Sequence, residues 1–199
     1  MNNMRIFIDI DDTSAETITD WVFCHVNKKY WTNYTFETTE NYSDVFWKIL
    51  NLDWTPMTKD EKIQLFNSSI LLDQGKNEIR AVEWSVKKIL EWWEKIDQFM
   101  ITARHWMLKE YTPEWVEFNY GSNIRKVLFS NSYHWWKVTK SEICDKYWIT
   151  IGIEDSMDEA YHLAKDWIHT FLLRKPWNEQ RKEKHPKINR VDSWDDIKL

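Results

Sequence analysis

Residues Met4 to Ile8, Met-Arg-Ile-Phe-Ile, run directly into Asp9-Ile10-Asp11-Asp12-Thr13. An apolar stretch this short, rich in β-branched side chains and ended by carboxylates, reads as a buried central strand. Its acids then lie at the strand's C-terminal end, and in open α/β sheets that is where ligands bind.

The rest of the chain supplies further layers. From Ile79 to Lys95, the residues Val82, Val86, Ile89, Leu90 and Trp93 follow the spacing of an amphipathic helix. Phe99 to Ile101 is a short strand ending at Thr102. Thr112-Pro113 opens a helix as N-cap and first helical residue, and Gly121 closes it. Lys126 to Ser130 is a strand. Thr139-x-x-Glu142 caps a helix through about Tyr147, and Ile149 to Ile153 is a strand ending in Glu154-Asp155. Ser156-x-x-Glu159 caps the next helix, and His169 to Leu173 is the last strand. Strands separated by helices of these lengths predict an α/β fold with a central parallel sheet. The segment from Arg174 to Arg190 holds seven basic residues against two acidic ones and reads as solvated. Between Ser14 and Asn77 the chain is aromatic, polar and weakly periodic. Several helices are expected there, with Thr58-x-x-Glu61 as a capping box before Ile63, Leu65 and Phe66, and an exit turn at Leu71-Leu72-Asp73-Gln74-Gly75.

Composition excludes several classes. With 199 residues, 43% of them hydrophobic and 30% charged, the chain can bury a core and is not expected to be disordered. A net charge of -5 argues against a coat for polymeric nucleic acid or a membrane-surface protein, but not against a small phosphorylated substrate. There is no apolar run of about 18 residues, and the start does not resemble a signal peptide. Cys24 and Cys144 form no zinc or CxxC pattern, so a reduced cytoplasmic location is expected. The six histidines show no metal spacing. One oddity stands out: 15 tryptophans and 3 glycines, where average usage of about 7% gives roughly 14 glycines.

Five residues at four strand ends or helix starts carry the chemistry: Asp9 with Asp11, Thr102, Lys140 and Asp155. Together they are the inventory for phosphoryl transfer through an aspartyl-phosphate. A phosphomonoester brings a charge of about -2, and Asp9 and Asp155 add one negative charge each. A Mg²⁺ and Lys140 return three positive charges, leaving roughly -1 with Asp11 able to hold a proton. Lys140 lies in a first helical turn, 15 residues before Asp155, whereas Lys137 and Lys146 flank it without that placement.

These segments resemble the haloacid dehalogenase (HAD) superfamily. Phe7-Ile8-Asp9-Ile10-Asp11-Asp12-Thr13 is similar to its first motif, Ile101-Thr102 to its second, Lys140 to its third, and Ile151-Gly152-Ile153-Glu154-Asp155 to its acidic fourth. More narrowly, Ile101-Thr102-Ala103-Arg104, Lys140-Ser141, Ile153-Glu154-Asp155-Ser156, Lys175-Pro176-Trp177-Asn178 and Arg190-Val191-Asp192-Ser193-Trp194 resemble the deoxyribonucleotidase-like branch, the 5′-nucleotidase, deoxy (pyrimidine), cytosolic type C group. Trp106, Trp148 and Trp167 depart from it, falling where small or turn-forming residues are expected.

The resemblance implies a Rossmann-like core of residues 1–13 and 78–199, with a helical cap of residues 14–77 inserted after the first strand. By it, Asp9 is nucleophile and Mg²⁺ ligand, and Asp11 is general acid/base, offering its carbonyl to the metal. Thr102 hydrogen-bonds the phosphoryl group, Lys140 neutralises it, and Asp155 holds Mg²⁺ with Glu154 behind. The implied activity is a Mg²⁺-dependent phosphomonoesterase acting on nucleoside monophosphates. The alternatives are a sugar phosphate or other small phosphate ester as substrate, or an inactive HAD scaffold used for binding. Arg104 meets either phosphate or a surface carboxylate. Phe23, Tyr34, Phe46 and Trp47 either stack on a base or fill the cap's core.

Overall fold

The computed structural model describes residues 3–17, 19, 20, 27–36, 55, 57, 58, 60, 61, 64, 65, 79–130 and 138–199. The opening segment forms strand β1 (Met4–Ile8) within the bounds read from the sequence. It is followed by helix α1 (Glu83–Trp92), β2 (Ile96–Thr102), α2 (Tyr111–Tyr120), β3 (Lys126–Phe129), α3 (Lys140–Tyr147), β4 (Ile151–Glu154), α4 (Met157–Lys165), β5 (His169–Leu173), α5 (Pro176–Glu179) and β6 (Ile188–Val191).

The strands make one six-stranded sheet in the order β3-β2-β1-β4-β5-β6, with every pairing parallel. This is the α/β, Rossmann-like sheet expected from the sequence. Strand alternation divides the core between the two faces. Ile6, Ile8 and Met100 face one cluster with Ile89, Trp115 and Trp194, while Phe7, Phe99 and Ile101 face another with Ile143, Cys144, Leu163 and Ile168. Gly152 lies beside Phe7 in the β1–β4 register, and a methyl group there would overlap the Phe7 ring. Cys144 is buried as a small apolar side chain.

Four expectations need correction. Leu90 and Trp93 are each 51% exposed, and α1 instead buries Ser85, Lys88, Ile89 and Trp92. The buried stripe carries a polar group because that group is satisfied: Ser85 Oγ donates to Val82 O at 2.6 Å and lies 2.9 Å from Tyr120 Oη. Thr112 lies inside α2, whose N-cap is Glu110, although Gly121 does close it with φ 59°. The strand read as the last is followed by β6, which pairs with β5 inside the segment read as solvated. That segment is tied down by Arg190, whose Nη2 donates to the carbonyls of Asn178 and Arg181 at 3.0 and 2.7 Å.

The two Ser/Thr-x-x-Glu caps hold. Thr139 and Glu142 form a capping box on α3, and Ser156 Oγ accepts from Glu159 N at 3.4 Å on α4. Within residues 14–77, Asn27–Tyr30 is one helical turn, and Thr58 and Glu61 exchange the capping-box bonds. Phe23, Phe46, Trp47, Ile63, Phe66, the exit turn at 71–75, Cys24 and Lys137 lie outside the described residues. No helix among the described residues is long and apolar enough to cross a membrane.

Candidate active site

In this strand order the chain leaves β1 toward β2 on one side and returns to β4 on the other, so the C-terminal ends of β1 and β4 form the switch-point crevice where ligands bind in such sheets. Ile8 pairs with Ile153, which puts Asp9 next to Glu154 and Asp155, and the backbone N–H of Asp9 donates to Ile153 O at 3.0 Å. Carboxylate oxygens of Asp9, Glu154 and Asp155 all lie within 4.8 Å of one another, and all three residues are buried. Hard, buried oxygen donors at this spacing fit a small divalent cation such as Mg²⁺.

Lys140 reaches this cluster from the first turn of α3. Its side chain is 4% exposed, its Nζ donates to Asp9 Oδ1 at 2.5 Å, and it also pairs with Glu154. Lys146, by contrast, is exposed on the same helix. Burial opposes the charge on Lys140, but Asp9 and Glu154 outweigh it and hold the ammonium above the usual lysine range. Burial pushes the Asp9 carboxyl up to about 7, with Lys140 opposing and Asp155 and Asp11 reinforcing. Glu154 and Asp155 shift upward as well, burial again being the largest cause. The crevice thus concentrates negative charge that a cation would relieve.

Asp11 stands apart from the acidic trio. Its carboxylate accepts from Arg104 Nη2 at 2.6 Å, from Arg104 Nε at 3.0 Å to each oxygen, and from Thr17 Oγ1 at 2.7 Å. The partner of Arg104 is therefore a carboxylate, but that of Asp11 rather than one on the surface. Arg104 itself is buried, with Trp115 beneath its guanidinium at 5.9 Å. Thr102, at the end of β2 and fully buried, accepts from Arg104 N at 3.1 Å, which leaves its hydroxyl proton to donate. The N–H and hydroxyl of Ser130 bond to the Thr102 carbonyl at 2.8 and 3.1 Å.

Sequence reading missed the groups that hold Asp155. Thr13 Oγ1 donates to Oδ1 at 3.0 Å, Trp177 Nε1 to Oδ2 at 2.8 Å, and Asn178 Nδ2 to the Asp155 carbonyl at 2.7 Å. The Lys175-Pro176-Trp177-Asn178 segment was visible as a motif, but no spacing rule connects it to a strand end 20 residues earlier. The main chain of Tyr34 bonds locally: its N–H donates to Asn27 Oδ1, and its carbonyl accepts from Asn27 Nδ2.

No protein-family model matches the chain, and no curated relative matches it. Solved structures do. A haloacid dehalogenase-like hydrolase from Streptococcus pneumoniae aligns with a TM-score of 0.63 at 13% identity, over 86% of this chain and 85% of that one. The HAD hydrolase YfnB from Bacillus subtilis, solved bound to magnesium, gives 0.61 at 12% identity, over 98% and 96% of the two chains. CbbY from Rhodobacter sphaeroides, solved in complex with xylulose-(1,5)bisphosphate, gives 0.62 at 12% identity, also over 98% and 96%. At such identities it is the fold that is shared: this chain has the fold of the haloacid dehalogenase-like hydrolases.

Proposed function

We propose that the chain is a Mg²⁺-dependent phosphomonoester hydrolase that carries the phosphoryl group on Asp9 and takes a small sugar-phosphate-like ester. One observation carries this reading: at the sheet's switch point, Asp9 is bonded to Lys140 and shares a buried oxygen cluster with Glu154 and Asp155. The likeness to a hydrolase solved with magnesium and to one solved with a sugar bisphosphate supports the metal and the substrate class. It favours a sugar phosphate over the nucleoside monophosphate expected from the sequence.

Asp9, Asp155 and the carbonyl of Asp11 would hold the ion, with Glu154 fixing Lys140 behind them. When bound, Mg²⁺ neutralises phosphoryl oxygens and orients the ester. An Asp9 carboxylate oxygen attacks phosphorus while the ester P–O bond breaks, and the departing alkoxide takes a proton from Asp11, which has first parted from Arg104 and taken up that proton from solvent as substrate binds. Water then attacks the same phosphorus and gives its proton to Asp11. The Asp9 carboxylate leaves, and inorganic phosphate is released. Lys140 and the Thr102 hydroxyl hold the phosphoryl oxygens. Residues 14–77 act as a cap that excludes water and sets specificity, and with water excluded each charge interaction in the site strengthens.

The test is phosphate release from a panel of sugar phosphates, nucleoside monophosphates and p-nitrophenyl phosphate, with Mg²⁺ and with EDTA. Mg²⁺-dependent turnover ranked toward sugar phosphates is expected. Preference for nucleotides would overturn the substrate class, and no hydrolysis of any ester would overturn the enzyme reading in favour of a binding scaffold.

A further inference from the structure

Trp177 faces two ways. Its indole N–H holds Asp155 Oδ2, while its ring meets Phe36 edge-on, with centroids 5.6 Å apart and planes at 69°. Lys175 Nζ stands 5.7 Å from the Phe36 ring centre and 6.0 Å from that of Trp177. Tryptophan suits such a junction because it offers a large apolar ring and one donor. Outer donors of this kind orient metal-binding carboxylates, and losing one typically weakens metal affinity about 10–100-fold. We infer that Trp177 is a positioning residue, orienting Asp155 toward the cation through its N–H and seating the segment that carries Phe36; the inference rests on the metal site proposed above.

The test is Mn²⁺ binding by calorimetry on purified protein. Trp177→Phe keeps a ring and removes the N–H, whereas Phe36→Leu keeps the N–H bond and removes the ring contact. The Mn²⁺ dissociation constant is expected to rise about 10–100-fold in Trp177→Phe and to stay at the wild-type value in Phe36→Leu. An unchanged constant in Trp177→Phe, or an equal loss in Phe36→Leu, overturns the role of the N–H. Failure of the wild type to bind Mn²⁺ overturns the metal site itself. If Trp177→Phe does not fold, Trp177→Met provides the same comparison.

A different observation carries a second inference. After α3, Ile149 N–H donates to Cys144 O at 2.8 Å and Trp148 N–H to Asp145 O at 3.1 Å. After α4, Ile168 N–H donates to Leu163 O at 3.0 Å and Trp167 N–H to Ala164 O at 3.2 Å. The turn Asn27–Tyr30 shares the outer bond of this pattern, from Thr32 N–H to Asn27 O at 3.2 Å. This paired pattern is the Schellman ending, whose pivot has left-handed backbone and is usually glycine. Here the pivots are Trp148, Trp167 and Trp31, with φ of 58°, 67° and 50°. Their side chains do not offset the strain: they are 72%, 79% and 89% exposed, with Lys187 Nζ 5.8 Å from the Trp167 ring centre. Asp12 also has positive φ, at 58°, but is of a type that tolerates it.

Other tryptophans behave differently. Trp115, Trp177 and Trp194 donate their indole N–H groups to Ile79 O, Asp155 Oδ2 and Thr13 O. Among the described tryptophans, three thus pivot left-handed turns and three donate indole N–H bonds, beside a glycine count of 3 where roughly 14 is ordinary. We infer that Trp31, Trp148 and Trp167 stand at glycine positions, and that their codon is a UGA which the source cell translates as glycine. UGA differs from the glycine codon GGA only in its first base.

The coding sequence tests this directly. UGA is expected at 31, 148 and 167 and UGG at 115, 177 and 194, with glycine in the first three positions of peptides sequenced by mass spectrometry from source cells. UGG codons or tryptophan at those three positions overturn the decoding. Trp148→Gly and Trp167→Gly in the recombinant chain are expected to raise the melting temperature by about 2–4 °C each. A fall in either would overturn the assignment of that position to glycine.

Discussion

Arg104 and Asp11 form a fork-to-carboxylate pair within the proposed site, with Thr17 bonded to the same carboxylate. The acid role requires Asp11 to give a proton to the leaving oxygen, so its replacement should be felt according to leaving group. Asp11→Asn is expected to slow the first chemical step about 10²–10⁴-fold for an alkyl phosphate and far less for p-nitrophenyl phosphate, whose phenolate leaves without a proton. Rapid mixing that follows nitrophenolate release separates this step from hydrolysis of the intermediate, which also uses Asp11. Equal losses of the first step would remove Asp11 from the acid role. The acidic trio makes a second prediction. Burial raises the Asp9 carboxyl from 3.8 to about 7, so the folded chain holds that proton more tightly than the unfolded chain does. The stability that this proton contributes to the metal-free protein is therefore fullest below about pH 4 and is lost as pH rises through about 7. Glu154 and Asp155 shift in the same direction. A bound cation takes the proton's place, so the gap between melting temperatures in Mg²⁺ and in EDTA should widen across that window. A gap that narrows with rising pH would contradict the cluster as the metal site.

Elements with local signals were legible, and those made by tertiary pairing were not. β1, β4 and the capped starts of α3 and α4 follow from apolar runs and side-chain caps, and β1, α3 and β4 deliver Asp9, Lys140 and the Glu154-Asp155 pair. β6 escaped because Ile188 and Val191 sit among charges, and its strand character comes from pairing with β5 and the Arg190 bonds to neighbouring carbonyls. In α1 the apolar period pointed to Leu90 and Trp93, but Trp92 turns inward to Trp194 at 6.3 Å, and satisfied polar groups share that buried face. The bonds from Trp177 and Thr13 to Asp155 join residues far apart in sequence, so no local pattern announced them. Two substitutions test the element-level packing. Gly152→Ala should cost about 1–3 kcal/mol by forcing a methyl against Phe7 between β4 and β1. Ser156→Ala should cost about 1 kcal/mol by uncapping α4. Denaturant titration measures both, and a Gly152→Ala variant as stable as wild type would mean that the two strands part more readily than this register implies.

At the scale of the whole molecule, a parallel sheet brings strand ends 145 residues apart in sequence, at Asp9 and Glu154, into one crevice, and α3 adds the cation that makes their proximity tolerable. Substituting the nucleophile should therefore separate chemistry from folding. Asp9→Asn is expected to fold and to lose essentially all turnover, because an amide cannot form the acyl-phosphate. Turnover of that variant above about one per cent of wild type would rule Asp9 out as nucleophile. The covalent step can also be seen directly. Wild-type protein turning over a phosphate ester with Mg²⁺ is quenched in acid within the first turnover, reduced with borohydride and digested, so that a phosphorylated aspartate is converted to homoserine. Homoserine at position 9, absent from the unreacted protein and from Asp9→Asn, is the expected result. Phosphate on another residue, or full turnover with no covalent phosphate captured, would contradict it.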